Sequence, residues 1–269
     1  DLYFTGIGNA RVHCQFVRPR GTPAKPMPVV LQFHGYHSDA GDFSDKIALA
    51  AEGMCVLALD ARGQGGPSED TTRSKGGVMK GLIIRGWEEG PEQLYFRAVF
   101  LDTAHMARIA LAMAGVDAER VAVQGASQGG ALALVCAALE PRVSKALVQY
   151  PYLSDYRQAF RLNVLTNAYE ELAYHFRFRD PLHLREAKFF KTLDYIDLQY
   201  LAPRIKAKVV WGIGLEDTVC PPQTQFAVYN QLHTRKTMLA YPEYGHEYLP
   251  RYADTTRSFL LCDDERVFA

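Results

Sequence analysis

The feature that most constrains this chain is Gly125-Ala126-Ser127-Gln128-Gly129, set between two apolar flanks. Arg120-Val121-Ala122-Val123-Gln124 before it reads as a short buried strand. Gly130-Ala131-Leu132-Ala133-Leu134-Val135-Cys136-Ala137-Ala138-Leu139 after it reads as a buried helix. A G-x-S-x-G sequence in that context forms a nucleophile elbow, a sharp strand-to-helix turn that presents the serine hydroxyl above a sheet. The flanking glycines answer to the strain of the turn and to the close approach of the helix to neighbouring strands. The helix N-terminus beneath the serine favours a developing negative charge. Ser127 is therefore the candidate nucleophile. A glycine-rich turn with an ordinary hydroxyl is the alternative that these five residues alone leave open.

The rest of the chain supplies the setting such an elbow needs. Arg11–Val17 alternates polar and apolar residues like a half-buried strand. Pro28–Phe33, Met54–Leu59, Lys145–Tyr150, Lys208–Gly212 and Thr237–Tyr241 are near-continuous apolar runs, the pattern of parallel strands buried on both faces. Helical patterns lie between them over Phe43–Glu52, Glu92–Gly115, the stretch from Gln128, Pro222–Leu232 and Arg251–Leu261. This alternation predicts an α/β protein with a mostly parallel central sheet flanked by helices. Two stretches interrupt it. Ala61–Pro91 is glycine-rich, polar and too long for a plain connection, as functional or disordered loops are. Asp155–Pro203 is helical and aromatic, and reads as an insertion covering the active-site end of the sheet within a single domain over residues 1–269. Its aromatics are expected mainly to pack, with some at the pocket mouth.

Composition narrows the partners. Thirty Lys and Arg balance thirty Asp and Glu, so no basic field exists to attract nucleic acid or an anionic surface. No apolar run approaches the ~18 residues of a membrane span, and no signal peptide is evident, although the chain begins at Asp1 rather than methionine. The five cysteines are odd in number and form no C-x-x-C pair, which fits a reducing, cytoplasmic compartment. No metal or cofactor is implied: H-E-x-x-H, phosphate-loop and dinucleotide patterns are all missing.

A nucleophilic serine needs a base, and the base needs an orienting acid, in the chain order serine, acid, histidine for a sheet of this kind. Each is expected on a loop beyond the carboxyl end of a strand. Asp217 follows the run Val209-Val210-Trp211-Gly212 and precedes Pro221-Pro222, where a helix can start; Glu216 is its rival. An aspartate there also serves as a turn or N-cap residue. His246 follows the last apolar run, behind Gly245, and among the eight histidines it alone has the right order relative to Ser127 and Asp217. His34 precedes the nucleophile and reads as a structural residue near the oxyanion loop. The oxyanion hole takes one backbone N–H from the residue after the serine, Gln128, and one from the loop after an early strand, where Tyr36 in His34-Gly35-Tyr36 is the candidate.

These residues, with Arg62-Gly63-Gln64-Gly65-Gly66, Phe100-Leu101-Asp102-Thr103, Gly214-Leu215-Glu216-Asp217, Cys220-Pro221-Pro222 and His246-Glu247, resemble the cephalosporin C deacetylase and acetyl xylan esterase family, carbohydrate esterase family seven, over nearly the whole chain. The resemblance implies an α/β-hydrolase fold, with Ser127 as nucleophile, Asp217 as acid, His246 as base, and Tyr36 and Gln128 as oxyanion donors. It implies deacetylation of small acetylated sugars, xylo-oligosaccharides and cephalosporins. It also implies a homohexamer whose sites face an internal chamber, and makes Arg62, with Gly63 and Gln64, a structural tie near the site. Members usually carry a further N-terminal segment of some tens of residues, a departure that bears on hexamer assembly. Two other readings stay open: a different hydrolase on this fold, such as a peptidase or long-chain esterase, and a non-catalytic binding protein.

Overall fold

Strands without polar alternation must be covered on both faces, and the sheet here is. The computed structural model describes residues 1–21, 24–72, 81–164, 169–262 and 265–268. Residues 73–80 of the expected 61–91 loop and 165–168 of the expected 155–203 insertion lie outside them. Among the described residues, one sheet holds β1 (Leu2–Thr5), β2 (Arg11–Val17), β3 (Met27–Phe33), β4 (Cys55–Leu59), β5 (Val116–Ala126), β6 (Lys145–Gln149), β7 (Lys208–Gly214) and β8 (Lys236–Tyr241). Their spatial order is β1-β2-β4-β3-β5-β6-β7-β8. Pairs β1–β2 and β2–β4 are antiparallel, and every pair from β4–β3 to β7–β8 is parallel. The helices are α1 (Ser44–Ala51), α2 (Tyr95–Ala112), α3 (Gln128–Leu139), α4 (Tyr156–Arg161), α5 (Glu170–Phe178), α6 (Glu186–Leu193), α7 (Leu198–Leu201), α8 (Pro222–Tyr229) and α9 (Tyr252–Cys262).

Three elements differ from the sequence reading. β1 has four residues, too few to show a period, and is held by pairing with β2. β5 begins at Val116, where it meets Met27 before a register shift; polar Asp117, Glu119 and Arg120 hide that extension. The helix expected over Glu92–Gly115 is shorter at both ends. A 3-10 turn covers Pro91–Gln93, Leu94 is extended, and the Tyr95 N–H donates to Arg85 O, so α2 starts at Tyr95.

Successive residues of the central strands face opposite layers. Val29 and Leu31 of β3, Cys55 and Leu57 of β4, and Val121 and Val123 of β5 share a core with α2 and α3. Val30, Val56 and Ala122 turn the other way, toward Leu49 of α1. Leu147 and Val210 meet Tyr252 and Phe259 of α9 on that same side. Helix α3 is apolar all round because it is enclosed, with every residue from Gln128 to Ala138 buried. The insertion between β6 and β7 carries α4 to α7, and its Tyr156, Tyr169, Phe176, Phe189 and Phe190 belong to the main core.

Arg62 is a buried tie rather than a surface turn residue. Its Nε and Nη2 donate to the two carboxylate oxygens of Asp102 on α2, at 2.7 and 2.8 Å, and its Nη1 donates to Ile7 O at 2.9 Å. Both side chains are 1% exposed. Burial pushes the Asp102 carboxyl upward although Arg62 pulls it down. Removing one partner leaves the other charge buried and unpaired, which typically costs ~3–5 kcal/mol. Asp102→Ala is expected to lose about that much stability, read from the urea unfolding midpoint; a loss under ~1 kcal/mol, the size of an exposed pair, would contradict the assignment.

Candidate active site

The elbow takes the form that its glycines permit. Ser127 joins β5 to α3 with φ 55° and ψ −123°, a backbone conformation that costs side-chain-bearing residues ~1–3 kcal/mol. It is held there by three hydrogen bonds: Ser127 N donates to Gln149 O, and Ser127 O accepts from Ala131 N and Tyr152 N. A Cβ on Gly129 would lie 2.0 Å from Phe33 O, and one on Gly125 would lie 2.3 Å from the Gly129 carbonyl carbon. The strand–helix crossing thus has room only for hydrogen at both positions.

The acid and the histidine arrive on two loops bonded to each other. Leu215 N donates to Tyr241 O and Glu216 N to Tyr244 O. A Cβ on Gly214 would lie 2.4 Å from the Tyr244 and Gly245 carbonyl oxygens, so this approach too depends on glycine. Asp217 is buried, and its Oδ1 accepts from Val219 N and Cys220 N, both at 2.8 Å. Its Oδ2 lies 2.8 Å from His246 Nδ1. That bond assigns the proton to Nδ1 and leaves the Nε2 lone pair free. Glu216 is exposed, and it is Asp217 that meets the imidazole. The His246 ring packs on Tyr150 at 4.4 Å and lines, with Ser127, a cavity of about 510 Å³.

The loop after β3 closes the other side. Gly35, Tyr36 and His37 line the same cavity. Gln64 Nε2 donates to Gln128 Oε1 at 2.9 Å, and Gln128 Nε2 donates back to Gln64 Oε1 at 3.1 Å. Gln64 Oε1 also accepts from His37 N at 2.8 Å. Gln64 therefore clamps the loop after β3 to the start of α3. Gly63 has φ 63°, and Arg62 and Gly63 place this clamp while lying outside the cavity wall. His34 accepts from Ala61 N at 2.9 Å through Nε2 and contacts Gly35 O at 2.7 Å through Nδ1, while burial lowers its pKa. Its place is structural.

Cys220 and Glu171 also reach this cavity, and sequence reasoning missed both. Cys220 stands directly before Pro221-Pro222, a spacing that by itself carries no sign of a place beside the serine. Its buried thiol contacts the Ser127 side chain, and burial pushes its pKa well up. Glu171 lies in the first turn of α5, an ordinary position for an acid, and carries no local signal. Asp217, Cys220 and His246 bring a carboxylate, a thiol and an imidazole within 4.8 Å, but a cation there would have to displace the His246–Asp217 hydrogen bond. Among the described residues, no helix is long and apolar enough to cross a membrane.

A serine on an elbow, a histidine and a buried carboxylate at the carboxyl ends of β5, β8 and β7 define an α/β-hydrolase. The acetyl xylan esterase (AXE1) family model matches residues 1–263. The chain is 46% identical to acetyl xylan esterase 1 of Thermoanaerobacterium sp. JW/SL YS485, with a TM-score of 0.93, covering 96% of this chain and 81% of that one. It is 35% identical to an acetyl xylan esterase of Paenibacillus sp. R4, with a TM-score of 0.91 and the same coverage. Among curated proteins, acetyl esterase Axe7A of Xylanibacter ruminicola is 32% identical over 166 residues, 62% of this chain; the match spans only 36% of that relative's length. The chain belongs to the acetyl xylan esterase family, a family of carboxylic ester hydrolases.

Backbone atoms surround the Cβ that Gly129→Ala would add, so no rotamer relieves the contact. The substitution is expected to cost at least ~3 kcal/mol, the upper end for overpacking, in denaturant unfolding. A loss below ~1 kcal/mol would show that the crossing is looser than described.

Proposed function

We propose that this chain is a serine esterase that removes acetyl groups from small acetylated carbohydrates, such as acetylated xylose and xylo-oligosaccharides, and from cephalosporin-type acetate esters. The observation that carries the reading is the buried Asp217 carboxylate 2.8 Å from His246 Nδ1, with Ser127 strained on its elbow in the same cavity. His246 Nε2 takes the Ser127 proton as the hydroxyl oxygen attacks the acetyl carbonyl. Asp217 keeps the imidazole in the Nδ1–H form and stabilises its charge when Nε2 is protonated. The Tyr36 and Gln128 N–H groups receive the oxyanion, each contributing ~3 kcal/mol. The alcohol leaves with the proton from His246, an acetyl-serine ester remains, and water activated by His246 releases acetate. A cavity of about 510 Å³ is of the size that takes small molecules.

Family membership favours this over a peptidase or a binding protein. By the same resemblance we place the chain in a cytoplasmic homohexamer acting on small molecules rather than nucleic acid or membranes; the five free cysteines support a reducing compartment. Phe178, at the end of α5, and Leu182 and Leu184, between α5 and α6, are exposed and support an assembling surface.

Acetate release from acetylated xylose is expected for the wild type and to fall ~10³-fold or more in Ser127→Ala. An octanoyl ester is expected to be the poorer substrate. Near-wild-type release by Ser127→Ala would remove the nucleophile assignment, and preference for octanoyl would favour the long-chain esterase.

A further inference from the structure

We propose that Glu171, on the insertion, is a positioning residue for the oxyanion hole and acts through Tyr36. The inference rests on the esterase reading and deepens it.

The geometry is unusual for an acid in the first turn of a helix. Glu171 is buried, yet its hydrogen-bond donors are all neutral. Its Oε1 accepts from Leu82 N and Ile83 N, and its Oε2 from Ile84 N, each at 3.0 Å. The Tyr36 hydroxyl lies 3.5 Å from Oε1 and accepts from Leu82 N at 3.0 Å. One carboxylate thereby binds the backbone of residues 82–84 and the phenol of the residue whose amide is the proposed oxyanion donor. Gly81 makes this approach possible: it has φ 79°, and a Cβ there would lie 2.3 Å from Oε1. Tyr36, Gly81 and Glu171 line the same cavity as Ser127.

A buried carboxylate is costly unless its hydrogen bonds serve the fold or the chemistry. Three backbone N–H groups converging on two oxygens demand acceptors, which only the ionised carboxylate supplies at every site. Anchoring the Tyr36 ring at its hydroxyl fixes the backbone at its other end, where the N–H must point at a developing oxyanion. Such donors lose effect when misplaced.

Burial pushes the Glu171 carboxyl up to about 7, against the pull of its hydrogen bonds. The groups facing it are Tyr36 from the loop after β3, Tyr152 from the segment after β6, and Tyr156 of α4. Glu170 adjoins it on α5, and His37 and His246 line the shared cavity. A pKa raised above the ordinary 4.5 means that protonation favours the folded state. That stabilisation is complete below 4.5 and is lost as pH rises through about 7. Activity needs the opposite state, so stability and turnover move in opposite directions across this window.

The test uses the wild type, Glu171→Gln and Tyr36→Phe, each checked by thermal unfolding. Fluorophosphonate labelling and hydrolysis of a small acetyl ester are followed across the acid limb. Glutamine opposes one backbone N–H with its own NH₂, so Glu171→Gln is expected to lower kcat ~10- to 100-fold with KM within ~2-fold. Its acid limb should lose the contribution that Glu171 makes near pH 7, and its melting temperature should no longer fall between pH 4.5 and about 7. Tyr36→Phe is expected to show a smaller kcat loss of the same kind. A folded Glu171→Gln with wild-type kcat and pH profile would overturn the proposal. If Glu171→Gln does not fold, Tyr36→Phe decides: wild-type kcat there rejects the role and a kcat loss at constant KM supports it. A wild type that neither labels nor releases acetate refutes the esterase reading, and this inference with it.

Discussion

The close crossing of β5 and α3 beneath Ser127 is the contact on which the rest of the site depends. Ser127 adopts φ 55° and ψ −123°, and the turn is kept in place by hydrogen bonds from both of its backbone groups. The serine can be presented above the sheet only if the helix begins immediately behind it. That requires Gly129 to lie where any Cβ would strike Phe33 O. At the elbow the strain falls on Ser127, with a tightly packed, buried helix as the counterweight.

Polar groups buried around this crossing connect loops that share no sequence neighbourhood. The reciprocal Gln64–Gln128 amide pair clamps the loop after β3 to the start of α3. Arg62 fixes the adjoining segment to Asp102 of α2 and to Ile7 near the N-terminus. The Asp217 and His246 loops are bonded backbone to backbone. The insertion joins this set through Glu171, so it is part of the cavity wall rather than only a cover over it.

Legibility in the sequence followed the range of the interactions. Ser127, its glycines and helix α3 depend on contacts within a few residues, and so their types and spacing stand out. Asp217 and His246 were placed by chain order and by their position after apolar runs. β1 escaped because four residues show no period, and the start of α2 was misplaced because Leu94 is apolar yet extended. Glu171 escaped for a different reason: an acid in the first turn of a helix is ordinary, and nothing nearby in sequence distinguishes a solvated one from a buried one.

The sequence by itself determined the α/β alternation, the mostly parallel sheet, the elbow and the family, because these rest on local patterning and on short motifs. The tertiary structure alone decided the Asp217–His246 hydrogen bond itself, the burial of Arg62 against Asp102, and the binding of residues 82–84 and Tyr36 by Glu171. Each of these is a hydrogen bond between groups 29 or more residues apart. Its existence depends on which loops the folded sheet brings together and on which side chains that packing removes from water.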